Sequence, residues 1–176
     1  MNLHPLLVHF PVALLSLYAL IELVRVRRLL NAEWWFNLKA SLIIVGTAFG
    51  YLAASFGEVA EHEVVRTARQ HQVVELHSSF AVAVLVVATL LAIAYLVTLI
   101  TRYDSFINHL MGRGTLTRYF NMLKRCTAFT MQPWVYVTLA ALLIVLLTIT
   151  GALGSVISHG PDTDFIVAFV YQLFFP

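Results

Sequence analysis

His4-Pro5-Leu6-Leu7-Val8-His9-Phe10-Pro11 opens the chain and sets two histidines and two prolines at the mouth of a long apolar segment. Whether that segment crosses a membrane decides the fold. The chain has 176 residues, 60% hydrophobic and 11% charged, with a mean hydropathy of +0.85. A soluble domain carries about 25% charged residues. The composition is that of an integral membrane protein, and nothing in it points to a nucleic-acid partner. No basic leader precedes the first apolar run, which is longer than a signal-peptide core. A lone cysteine, Cys126, excludes an intramolecular disulfide and a cysteine-based metal cluster. No CxxCH is present, so covalent attachment of c-type haem is excluded too.

A spanning helix needs about 20 largely apolar residues. Four stretches meet this, over about 5–24, 38–56, 77–100 and 134–157. In the first, Pro5 suits a first helical turn, where its missing N–H costs nothing. Pro11 falls inside the helix, where it should kink it and free the carbonyl of Leu7. A helix starting at Pro11 would leave about 14 apolar residues before Arg25, too few to span. The second stretch carries Gly46 and Gly50 in GxxxG spacing, with Ala54 next on the stripe. Small residues let helices approach closely in lipid, and the same smooth face would accept a flat cofactor. Between the second and third spans, residues 57–76 turn polar and are expected to extend both helices, with a break between them. Residues 101–132 form a basic segment whose clearest loop signal is Gly112-Arg113-Gly114. Its Tyr119, Phe120, Met122 and Leu123 suit an amphipathic turn or helix at the interface. The tail, 158–176, ends in about 11 apolar residues, too short to span. The expected fold is an all-α, up-down antiparallel four-helix membrane bundle, a single domain with polar outer-face extensions and a short apolar tail.

Four alternating spans put the loops after helices 1 and 3 on one side. These loops hold Arg25, Arg27, Arg28, Lys39, Arg102, Arg113, Arg118, Lys124 and Arg125, nine of eleven basic residues. The positive-inside rule makes that side cytoplasmic, with Trp34, Trp35 and Trp134 as interface anchors. Both termini then face outward, toward the periplasm if the membrane is the inner membrane of a two-membrane bacterium. The outer side collects six of seven histidines (His4, His9, His62, His71, His77 and His159) and six of nine acids (Glu58, Glu61, Glu63, Glu75, Asp162 and Asp164). His109 is left on the cytoplasmic side. Glu22, near the inner end of helix 1, is read as screened by Arg25 three residues on.

Such clustering suggests b-type haem, held by histidines projecting into an apolar slot. His9, one turn inside helix 1, and His77, at the top of helix 3, are the expected axial pair. His4 and His9 lie about 140° apart around a helix, and His71 and His77 about 240°, so neither pair shares a face. His4, His71 and His159 would serve a second haem or the propionates. A non-haem zinc, copper or iron site is the alternative, with Glu58, Glu61, His62 and Glu75 as ligands or as partners fixing imidazole tautomers. Glu58 with His62, and His71 with Glu75, sit four apart on one face, although the Glu-x-x-His spacing of di-iron bundles is absent. His62, between Glu61 and Glu63, also reads as simply solvated.

The opening resembles that of a family of small, largely uncharacterised bacterial membrane proteins with four predicted helices and the pattern HPxxVHFPxAL. The similarity extends to Gly57-Glu58-x-x-Glu61, to Glu75-Leu76-His77 and to Thr150-Gly151-Ala152-Leu153-Gly154. The family's last motif, nearer GGxxVYxxG, is here Gly154-Ser155-Val156-Ile157-Ser158-His159-Gly160, with Ser158-His159 in place of an aromatic residue. Members of that family often sit beside or fused to cytochrome c or Rieske-type modules. The resemblance implies a redox role at the outer membrane face, and with the histidine clustering the leading expectation is a non-catalytic electron-transfer subunit of a larger membrane complex. It would carry one or two b haems near the outer face and exchange electrons with a periplasmic cytochrome c or quinol. A non-redox scaffold subunit, using its apolar tail and GxxxG stripe as contact surfaces, is the competing expectation.

Overall fold

A computed structural model describes the backbone of residues 4–64, 67–102 and 115–176, with side chains excepted at 4–7, 58–64, 115–117 and 120. The described residues are helical and include no strand. The helices are α1 (His4–Leu23), α2 (Arg27–Leu30), α3 (Glu33–Val64), α4 (Ala68–Arg102), α5 (Thr115–Thr130), α6 (Pro133–His159) and α7 (Phe165–Phe174). Three of them, α3, α4 and α6, contain segments long and apolar enough to cross a membrane. The first helix has 20 residues with Pro11 inside it, and its described apolar part runs Val8–Leu23.

The polar stretch expected to join helices 2 and 3 does extend both, and α4 restarts on a local signal. Thr67 Oγ1 accepts from the Gln70 amide at 3.2 Å, while Gln70 Oε1 accepts from the Thr67 amide at 3.1 Å. This reciprocal capping box satisfies two backbone donors that a helix start leaves orphaned. Pro133 begins α6 at its first turn. Asp164 caps α7 by accepting from the Val167 amide at 2.9 Å. Within the basic segment, α5 is the amphipathic helix anticipated around Tyr119, Met122 and Leu123, and these three side chains are exposed. Gly112-Arg113-Gly114 and His109 lie outside the described residues.

Along α1 and α3, residue numbers fall on one helix as they rise on the other. Phe10 stacks on Phe49, a Cβ at Gly50 would lie 3.8 Å from Pro11, Leu15 packs over Gly46, and Glu22 meets Lys39. The helices thus stay packed past Pro11. Gly46 and Gly50 are buried, but not against a flat ligand. A Cβ at Gly46 would come 2.9 Å from Leu15, and one at Gly50 would come 2.8 Å from Leu85 of α4. Leucines fill the smooth face that a cofactor would have used, and Ala54 is exposed. α1 packs on α3 and α6, and α4 packs on α3, α5 and α6. The main core joins Leu15, Tyr18, Ile43, Leu91 and Leu143 across these helices. A second cluster, at the end where α4 starts and α6 finishes, buries Val167 and Val170 of α7 against Val73 and Leu153. The tail therefore docks on its own chain.

Candidate functional site

Two polar belts sit at opposite ends of the helices. At one end, Glu22 of α1 is 1% exposed and Lys39 of α3 is 6% exposed. Lys39 Nζ donates to Glu22 Oε1 at 2.8 Å, and the Tyr95 hydroxyl of α4 donates to Glu22 Oε2 at 2.5 Å. Each carboxylate oxygen thus takes a donor from a different helix. The ammonium also lies 5.8 Å from the ring centre of Tyr95 and 5.5 Å from that of Tyr136 on α6. Tyr18 meets the Tyr95 ring edge-on at 5.7 Å, and its buried hydroxyl makes no hydrogen bond among the described residues. An intramembrane carboxylate is costly unless paired and hydrogen-bonded, and here both conditions are met. Arg25 acts on Glu22 through space, but the direct ion pair of Glu22 is with another helix. Arg25 instead donates to the Tyr136 hydroxyl at 3.0 Å, a bond that pushes its basicity further up, and Lys39 neutralises Glu22.

The other end holds the histidines. His77 Nδ1 lies 3.0 Å from the Thr150 carbonyl oxygen of α6. A carbonyl only accepts, so Nδ1 carries the proton, and in the neutral ring the lone pair is on Nε2. Gly154, one turn beyond Thr150, admits the ring, since a Cβ there would lie 3.2 Å from His77 Cε1. His9 is exposed beside the Phe10–Phe49 stack. His71 is exposed, its Nδ1 3.9 Å from Glu75 Oε2, a distance at which a solvated pair contributes little. His159 is the exposed last residue of α6. His4 lies in the first turn of α1, and Glu58, Glu61 and His62 lie in the last turns of α3; their side chains fall outside those described. Among the described residues, no three His, Cys, Asp or Glu side chains gather around a metal position. The structure does not join His9, His71, His77 and His159 into one cluster.

Register relates the two belts. α1 and α4 both run antiparallel to α3 and so run parallel to each other. Glu22 and Tyr95, in direct contact, are 73 residues apart, and His4 and His77 stand at the same offset. His9 is five residues further in, roughly 8 Å deeper at 1.5 Å per residue. From His77 to Tyr95 is 18 residues of one helix, roughly 27 Å. That is close to the thickness of a hydrocarbon core, about 30 Å. The buried ion pair and the His77 level are therefore separated by about one hydrocarbon thickness.

The chain belongs to the DUF2231 family. The family, described as predicted membrane protein, matches residues 1–160, leaving α7 beyond the match. No curated protein and no solved structure matches. Membership in DUF2231 shows a membrane protein, in keeping with the three long apolar helices, and assigns no chemistry.

Sequence reasoning passed over Lys39, Tyr95, Tyr18 and Tyr136. A signal for two of them was present: Glu22 and Lys39 are ionisable residues in apolar surroundings on the two arms of one helical hairpin. Such residues mark a site by default in a membrane protein.

Proposed function

We propose that this DUF2231 protein is a bacterial inner-membrane electron-transfer subunit, with one b haem near its outer end and His77 as an axial ligand. In this reading α1 is the fourth span of an antiparallel bundle, both termini are periplasmic, and the basic loops are cytoplasmic. The observation that carries the reading is the Nδ1–Thr150 hydrogen bond of His77 against Gly154. A histidine whose Nδ1–H is held by a backbone carbonyl is oriented to ligate through Nε2.

His77 is the one histidine whose described geometry suits a ligand, and we take its partner to be His4 rather than the expected His9. α1 and α4 both pack on α3 and on α6, so histidines from these two helices would be the residues to hold the haem between them. Register favours His4 over His9 as the second ligand, because His4 is level with His77. When bound, haem supplies one-electron redox chemistry. The protein's own part is to fix the His77 tautomer, to hold the ring between α4 and α6, and to cover that end with α7 through Val167 and Val170. The resemblance of the opening motif to proteins found beside cytochrome c and Rieske-type modules supports a periplasmic cytochrome c or quinol as redox partner.

The scaffold reading draws on a different observation. α7 exposes Phe165, Ile166, Phe169 and Leu173 while burying its other face on its own chain, which suits contact with lipid or with a neighbouring subunit. The two readings part on a pyridine haemochrome assay of the purified chain. A b-type signal near one haem per chain supports electron transfer, and its absence leaves the scaffold.

A further inference from the structure

Beside the buried ion pair, at the end opposite His77, opens a cleft of about 530 Å³. Its wall includes Glu33, Trp35, Phe36, Lys39, Arg102 and Tyr136. We propose that this cleft seats the headgroup of a zwitterionic aminophospholipid from the adjacent leaflet. The phosphate would meet Arg102 and Trp35, and the ammonium would meet Glu33.

The charges decide the class of ligand. Lys39 is cancelled by Glu22 at 2.8 Å and offers no net charge to the cleft. What remains is one cation and one anion. Arg102 and Glu33 are both exposed, and neither forms an ion pair among the described residues. The Arg102 guanidinium carbon lies 3.8 Å from the centre of the Phe36 ring, a cation–π contact that anchors the group and still allows its N–H groups to donate to an oxygen ligand. Trp35 is 8% exposed, and its buried indole N–H has no acceptor among the described residues. An indole nitrogen only donates, so its complement is an acceptor such as a phosphate oxygen. A purely anionic headgroup would leave Glu33 facing like charge. A neutral quinone would leave both charges unmet. A phosphoethanolamine group meets all three residues at once. The location agrees, since the cleft lies near the edge of the hydrocarbon core, where headgroups are found, and its size is in the range of ligand sites. The inference is independent of iron at the other end.

The test is native mass spectrometry of the full chain extracted from vesicles of equal parts phosphatidylethanolamine and phosphatidylglycerol. Wild type should retain phosphatidylethanolamine in preference. Arg102→Ala should lower that retention about tenfold, the scale of a charged hydrogen bond, and Arg102→Lys should recover part of it. Glu33→Gln should shift preference toward phosphatidylglycerol. This arm stands alone if loss of the Phe36 contact unfolds Arg102→Ala. Equal or greater retention of phosphatidylglycerol by wild type would overturn the proposal, as would an unchanged lipid preference in Glu33→Gln. Displacement of the lipid by millimolar inorganic phosphate or by a short-chain quinone would overturn it in favour of those ligands.

Discussion

Glu22 and Lys39 hold one another at 2.8 Å, with almost no solvent on either. Removing one partner leaves a buried charge, and that costs about 3–5 kcal/mol, whereas replacing both by apolar groups is often neutral. Lys39→Met should therefore destabilise the purified chain by that amount, followed by circular dichroism in a denaturant titration. The double variant Glu22→Leu/Lys39→Met should recover most of the loss. A double variant as unstable as the single one would mean that the pair does more than cancel itself. Local spacing did not reveal this pairing. Arg25 is the nearest cation to Glu22 along the chain, yet it turns to Tyr136. Which cation meets a carboxylate depends on how α1 lies against α3 and α4, and an i,i+3 rule carries no such information. His77 shows the same limit. Its place at the head of α4 was readable, but its hydrogen bond to Thr150, 73 residues away, was not.

At the level of elements, the GxxxG pair was legible as a packing face because small residues at that spacing have one dominant use in lipid. What filled the face was not legible, and it is leucine rather than a cofactor. The contact at Gly46 is the tighter test. Gly46→Val would press into Leu15 and Leu14, and overpacking of this kind costs about 1–3 kcal/mol. Gly151→Ala, with nothing within 4 Å of the new Cβ, should be tolerated. Thermal unfolding of the two variants side by side checks the contrast, and equal losses would contradict the close approach of α1 to α3. The spans over 38–56, 77–100 and 134–157 were readable from hydropathy, and the helices extend past them at both ends. The extension of α4 back to Ala68 was encoded in the Thr67/Gln70 capping box, a short signal hidden inside a polar stretch. The tail was read correctly as too short to span. Its docking partners join Leu153 of the preceding helix to Val73 from a distant part of the chain, so no local pattern names the site.

For the whole molecule, the orientation proposed from the charge asymmetry is open to a direct check. Cys126 is exposed and lies in the basic segment proposed as cytoplasmic. A membrane-impermeant maleimide should leave it unlabelled in intact spheroplasts and label it in inverted vesicles. The reverse pattern would invert the topology and place the histidine end inside. The two belts, about 27 Å apart along α4, give the molecule one end built around a buried, mutually neutralised ion pair and another that is rich in imidazole. The clustering of histidines at one end was legible from topology alone. The choice of α1 histidine proposed as partner to His77 was not, because it rests on the relative height of α1 and α4, which the Glu22–Tyr95 contact sets. On that height His4 rather than His9 is the proposed partner. The most direct measurement is the reduced-minus-oxidised absorption spectrum of the purified full chain beside its His77→Ala, His4→Ala and His9→Ala variants. The account predicts a low-spin b-type spectrum in wild type, its loss in His77→Ala, conversion to a high-spin form in His4→Ala, and little change in His9→Ala. Haem binding that survives unaltered in His77→Ala, or a wild-type chain with no haem signal, would contradict it.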